Sequence, residues 1–155
     1  MTCQDFWRDF LRGTGRPLDT PMPEAWHFEL TEGAANALLD LVLRGVKCAT
    51  SSSLWGYELE GEPLPQVGNL SIITDWDGEP WCVIETTGVQ VIPYRDITFR
   101  IARREGEDDT LDSWRRNHEA FFRAEGAELG YAFREDMPVI FEDFQLIWRR
   151  AEKRG

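Results

Sequence analysis

Apolar residues recur at helical spacing in three segments of the chain. In the first, Phe6, Trp7, Phe10 and Leu11 share one face, which predicts a helix over roughly Thr2 to Leu11. In the second, Ala35, Leu38, Leu39, Val42 and Leu43 form a stripe, and Thr31 stands where it can cap the start. Gly45 follows where a helix end takes a left-handed residue, so Lys47 falls on the connection beyond it. In the third, Leu111, Trp114, His118, Phe121 and Phe122 share the inner face of a helix running about Leu111 to Ala124, capped by Asp109 or Thr110. The stretches Leu70 to Thr74 and Trp81 to Thr87 read as strands flanking Asp77-Gly78, a hairpin signal. Val89 to Ile92 predicts another short strand, and Val139, Phe141, Phe144, Leu146 and Trp148 alternate as in a half-buried one. Helices and strands in this mixture predict an α+β fold. Gly13 to Pro23, with Pro17, Pro21 and Pro23, reads as a linker. The expected organisation is therefore an N-terminal helix and linker over residues 1–25, packed on one globular unit over 26–150.

Length and composition narrow the class. The chain has 155 residues, 42% of them hydrophobic, with seven Trp and nine Phe, enough for one core without staples. Its net charge of −11 argues against a protein that coats long RNA, since that hold comes from Lys and Arg meeting phosphates. Cys3, Cys48 and Cys82 form no metal-binding or redox pair, and no segment reads as a signal peptide or membrane span. A reduced, cytoplasmic protein that does not enter the membrane is expected.

Two polar segments carry candidate chemistry. Gly45-Val46-Lys47-Cys48-Ala49-Thr50-Ser51-Ser52-Ser53 places a cation and four hydroxyls after a helix, donors suited to a phosphate or a polarised carbonyl. A plain Ser/Thr-rich loop capping a following helix explains the same residues. Arg103-Arg104-Glu105-Gly106-Glu107-Asp108-Asp109 holds four carboxylates, which fit a metal or a raised pKa, and equally an acidic turn at a helix start. The helix-start reading leaves no metal expected there. His118, on an apolar helix face, reads first as a satisfied core histidine. Trp55, directly after the hydroxyl-rich segment, is the best placed of Trp55, Tyr57, Trp76 and Trp81 to stack on a base. Lys47, past a helix end on a polar turn, is expected to be replaceable by Ala without loss of the fold.

At these segments the sequence resembles a known family. Gly45 to Thr50 is similar to the G-x-K-x-x-T signature of ASCH domains. Glu105 to Leu111, with Trp114, Arg115 and His118, resembles the longer bacterial branch, the YhfF-like or DUF984 proteins. Leu64-Pro65-Gln66-Val67-Gly68-Asn69 resembles the P-x-x-G-D segment of that branch. The likeness spans about Trp26 to Trp148. It departs at Asp108, where the branch usually has Gly, at Asn69, usually Asp, and at Thr110, usually Ser. The resemblance implies a PUA-like mixed β-barrel surrounded by helices.

The resemblance also implies a site. The related YqfB-like amidohydrolases remove an acyl group from acetylated cytidine with a Lys, a Thr and a Glu, and these match Lys47, Thr50 and Glu105. On that pattern Thr50 attacks the acyl carbonyl, Lys47 activates it as a base or as a field, and Glu105 moves a proton. Ser51, Ser52, Ser53, Trp55, Glu85, Arg115 and His118 are the expected substrate contacts. Another relative has been assigned ribonuclease activity, which would use Lys47 against a phosphate and Glu105 or His118 for the proton. Other relatives are binding modules, which would only read a base edge. All three readings stand at this point. Each takes a nucleoside or RNA ligand, with no cofactor, no metal and no preference for DNA. Oligomeric state stays open.

Overall fold

Side-chain caps set most of the helix starts in the computed structural model, which describes residues 1–152 and Arg154. Helix α1 (Cys3–Thr14) begins where Thr2 Oγ1 accepts the Asp5 amide at 3.0 Å, and it runs past Leu11. After the short strand β1 (Ala25–Trp26), Thr31 caps α2 (Glu32–Leu43) in the same way. The hydroxyl-rich segment is strand β2 (Ala49–Ser53), not a turn. Its last residue, Ser53, accepts the Gly56 amide at 3.2 Å and starts α3 (Leu54–Glu60), the helix that the capping-loop reading required. Strands β3 (Leu70–Thr74) and β4 (Pro80–Pro93) form the expected hairpin, where Asp75 Oδ1 accepts the amides of Asp77 and Glu79 at 3.0 Å each. Where two strands were expected, β4 is one, bent by a register shift between Thr86 and Gly88. A short helix α4 (Phe99–Ala102) and a 3-10 turn (Arg103–Glu105) lead to α5 (Leu111–Leu129), capped by Thr110 and longer than its apolar stripe. Strand β5 (Pro138–Arg149) completes the fold.

The strands form one sheet in the order β1-β3-β4-β5-β2, with β1 parallel to β3 and the other pairs antiparallel. The sheet is mixed but open, which corrects the closed barrel implied by the resemblance. Its two edges, β1 and β2, do not pair. A two-residue β1 offers too few backbone donors and acceptors to close a ring.

Both faces of the sheet are covered. Ile72 and Val83 meet Phe6, Trp7, Phe10 and Leu11 of α1 on one side. Ile73, Cys82 and Ile84 meet Leu39, Val42 and Leu43 of α2 on the other. Successive residues of a strand point to opposite faces. Double coverage is why Trp81 to Ile84 reads as an unbroken apolar run. A third cluster, with Tyr94, Trp114, Phe122, Met137 and Val139, fixes α5 against the far ends of β4 and β5.

Helix α1 thus contributes to the sheet's core. Phe10 is fully buried between Trp7 and Trp148, with ring centroids 4.9 and 6.0 Å away. Phe10→Ala is expected to lower stability by about 3–5 kcal/mol in a urea titration followed by Trp fluorescence. A single transition with an unchanged slope is expected, whereas a separate early transition would show α1 to be dispensable.

Candidate functional site

Backbone pairing brings the two polar segments together. The Cys48 amide donates to the Arg104 carbonyl at 3.0 Å, across 56 residues of chain, and the Phe144 amide donates to the Cys48 carbonyl at 3.0 Å. Gly106 follows in a left-handed conformation, φ 71°, so close to the Lys47 turn that a Cβ there would lie 2.4 Å from the Val46 carbonyl oxygen. Only glycine lets these backbones approach so closely. Glu105 is thereby aimed into the space under β2.

Lys47 turns inward. It is 2% exposed, and its Nζ donates to the Ala49 carbonyl at 2.7 Å, to Glu105 Oε1 at 3.4 Å and to Glu107 Oε2. The Phe28 ring centroid lies 5.2 Å from the ammonium. The expected surface turn is therefore a buried ion-pair site. Its burial follows from α2 ending against the sheet, with the Val46 and Lys47 amides both bonded back to the Leu41 carbonyl.

Glu105, 1% exposed, is the hub. Besides Lys47, it accepts from Ser51 Oγ at 3.0 Å, Trp114 Nε1 at 2.6 Å and His118 Nε2 at 3.2 Å. His118 Nδ1 lies 2.9 Å from the Trp114 carbonyl, and its ring stacks on the Trp114 indole at 4.1 Å. With a carboxylate on one nitrogen and a carbonyl on the other, the imidazole donates from both, as the cation does.

These contacts sort the charges. Burial alone would raise the Glu105 carboxyl, but His118 and Lys47 together pull it down to about 2. Burial would lower His118, yet the Glu105 charge and hydrogen bond, with Glu107 nearby, hold it above 6.5. Glu107 is raised: burial and the Glu105 charge outweigh the pull of Lys47. Glu105, Glu107 and His118 place ligating atoms within 4.8 Å of one another, a set that could hold a divalent ion. The Lys47 ammonium already sits on both carboxylates and supplies that positive charge.

Two pockets adjoin the cluster. A small one, about 70 Å³, is lined by Thr50, Ser51, Glu105, Glu107 and His118, among others. A large cleft of about 840 Å³ shares Phe28, Glu29, Thr50, Ser51 and Phe121 with it, and has Trp26 from one sheet edge and Thr50 to Ser53 from the other. The gap that keeps the sheet open is this cleft. Glu24, Glu29, Glu60, Glu62, Glu125 and Glu142 line it, with no Lys or Arg among the described residues.

Measured against the sequence, Lys47, Glu105, Ser51 and His118 converge directly. Thr50 sits where the two pockets meet but is not hydrogen-bonded to Lys47 or Glu105 among the described residues. Ser52 lines the large cleft, while Ser53 is buried and occupied in capping α3. Trp55 packs edge-on against Tyr131 at 5.9 Å, Glu85 accepts from Gln145 Nε2 at 3.0 Å, and Arg115 lies exposed on α5. None of these three lines either pocket. Asp108 accepts from the Ser113 hydroxyl and the Asn117 side-chain amide through Oδ1, so it meets the helix start through side chains and not through its free backbone amides. Glu107, read with its neighbours as a metal ligand or an acidic helix start, lies in the cluster instead, and Phe28 and Glu142 were missed. Glu142 had a signal, a carboxylate inside an apolar strand.

The family model of the ASCH domain matches residues 24–148, over the strands and helices that build this site. The chain belongs to the ASCH domain family. Among solved structures, an ASCH domain from Lactobacillus crispatus is 37% identical, with a TM-score of 0.86 over 95% of this chain and 94% of that one. A DUF984 protein from Enterococcus faecalis is 34% identical, with a TM-score of 0.88 over 95% of this chain and 88% of that one. A third, a hypothetical protein 12% identical with a TM-score of 0.50, covers 79% of this chain and 99% of its own and shares the fold alone. No curated protein matches. In this ASCH domain no helix among the described residues is long and apolar enough to cross a membrane.

Two outcomes follow from the cluster. Lys47→Ala leaves Glu105 and Glu107 without their buried partner, so it is expected to cost about 3–5 kcal/mol in chemical denaturation rather than leave the fold intact. The pH response has a fixed sign. His118 is raised, so its contribution is complete below 6.5 and is lost as pH rises through its folded value. Glu105 is lowered, so its contribution is complete above 4.5 and fades as pH falls toward about 2. The stability difference between wild type and His118→Gln should therefore be largest between pH 4.5 and 6.5 and shrink at higher pH. Melting temperatures of both proteins across pH 4 to about 9 check this.

Proposed function

We propose that this ASCH domain binds a small uncharged nucleoside in its cleft and hydrolyses an acyl amide on it. ASCH domains are RNA-related, and a modified nucleoside derived from RNA fits that relation. One observation carries the choice among the family's activities: the cleft that meets the buried cluster is lined by six glutamates and no Lys or Arg among the described residues. A phosphodiester chain brings a negative charge with every nucleotide, so such walls repel RNA and tolerate a nucleoside.

The residues divide the work as follows. Thr50, at the junction of cleft and small pocket, attacks the acyl carbonyl carbon. Lys47 has all its N–H donors engaged and acts as a fixed positive field that holds the two carboxylates. Glu105 carries a permanent negative charge and is a weak proton acceptor. Glu107, raised and reaching the small pocket, is the better base for the Thr50 proton. The amide C–N bond breaks, the amine leaves with a proton, and water then releases the acyl group from Thr50 as a carboxylic acid.

Release of cytidine from acetylated cytidine and from its 5′-monophosphate tests the reading. Turnover of the free nucleoside is expected to exceed that of the phosphate, and Thr50→Val and Glu107→Gln should each slow it by about 10²–10⁴-fold. No release from any acylated nucleoside, together with salt-sensitive binding of single-stranded RNA, would favour a binding module instead.

A further inference from the structure

Glu142 lies opposite Thr50 in the pairing of β5 with β2. Directly opposed residues share a face of the sheet, with Cβ atoms about 4.5–5.5 Å apart. Glu142 and Thr50 therefore share one face of the sheet, and both line the cleft. It is only 7% exposed. One of its oxygens accepts from Thr86 Oγ1 at 2.6 Å, and Thr86 is itself buried. The other oxygen makes no hydrogen bond among the described residues, and no Lys or Arg pairs with this side chain there.

That second oxygen opens onto the cleft, where it is free to accept a donor. The open cleft is where that donor comes from. Burial holds the Glu142 carboxyl above its ordinary range, against the opposing effect of the Thr86 hydrogen bond. A metal ion does not fit, because one free oxygen is too few ligands. An N–H group on a flat ring fits better, since Trp26 and Tyr57 give the same cleft aromatic walls.

We infer that Glu142, held in place by Thr86, anchors the ligand: its free oxygen accepts an N–H from a planar heterocycle and sets that nitrogen beside Thr50. This rests on the nucleoside reading above and adds what the ligand must present. In an acylated amino-heterocycle the anchored nitrogen is the amide nitrogen, so its carbonyl carbon falls next to the Thr50 oxygen. The cleft thus selects ligands by an exocyclic N–H, not by a phosphate.

The test is calorimetric binding of cytidine and of its exocyclic N,N-dimethyl derivative, which lacks that N–H, to the full chain. Cytidine is expected to bind at least about tenfold more tightly than the dimethyl compound. The double variant Glu142→Leu with Thr86→Val removes donor and acceptor together and leaves no buried polar group unpaired, so it should fold. In it the preference should fall to within about twofold. Glu142→Gln, which turns an amide N–H toward the cleft when Thr86 keeps its bond, should also weaken cytidine. Equal binding of the two compounds by wild type, no binding of either, or a preference kept in the double variant would each overturn the anchor. If the preference holds and depends on Glu142 but no acylated nucleoside is turned over, the anchor stands and the hydrolase reading falls. If acylated cytidine is turned over equally well by the double variant, the hydrolase reading stands and the anchor falls.

Discussion

The architecture of the site depends on one buried carboxylate. Glu105 collects donors from four places: Lys47 after α2, Ser51 on β2, and Trp114 and His118 one turn apart on α5. An isolated buried charge is expensive to desolvate, and each donor repays part of that cost only in good geometry. The arrangement therefore specifies how α2, β2 and α5 sit relative to one another. Two features make it possible. Gly106 lets the chain pass close under Val46, and the Cys48–Arg104 backbone bond holds the segments in line. Substitutions in this region should act first on fold and only then on chemistry.

The open sheet has the same origin as the cleft. With α1 and α2 covering both faces, the core is complete without closure. The two-residue β1 leaves the β1 and β2 edges apart, and the large cleft lies between them. In this fold the hydroxyl-bearing strand is an edge strand, with one edge beside the cleft and the other held by β5. The net charge of −11 then acquires a location, since much of it lines that cavity.

Much of the fold was legible. Helical spacing located α1, α2 and α5, and Asp77-Gly78 located the β3–β4 hairpin, because a repeat of 3.6 and a turn dipeptide are local signals. Strand β2 was not, since a Thr-Ser-Ser-Ser run lacks apolar alternation and becomes a strand only by pairing with β5. The family motif brought Lys47, Thr50 and Glu105 to notice, but local pattern placed Lys47 on the surface. Nothing within a few residues of Lys47 reveals that its partners lie 58 and 60 positions away. Trp55, Glu85 and Arg115 lie away from both pockets for the complementary reason: polarity or aromaticity near a motif carries no information on which way a side chain points.

Glu107 shows how far the environment, rather than residue type, sets a role. It and Glu105 are the same residue two positions apart, both touching Lys47. Glu105 lies fully enclosed, with three further donors that all favour its anion. Glu107 is largely buried too, with Lys47 as its one donor among the described residues and the Glu105 charge beside it. The first is driven down and the second up. Burial opposes the ionisation of Glu107 most, and the fixed Glu105 anion beside it adds to that, outweighing the pull of Lys47. One residue type is thus held as an anion at the first position and shifted toward its acid form at the second.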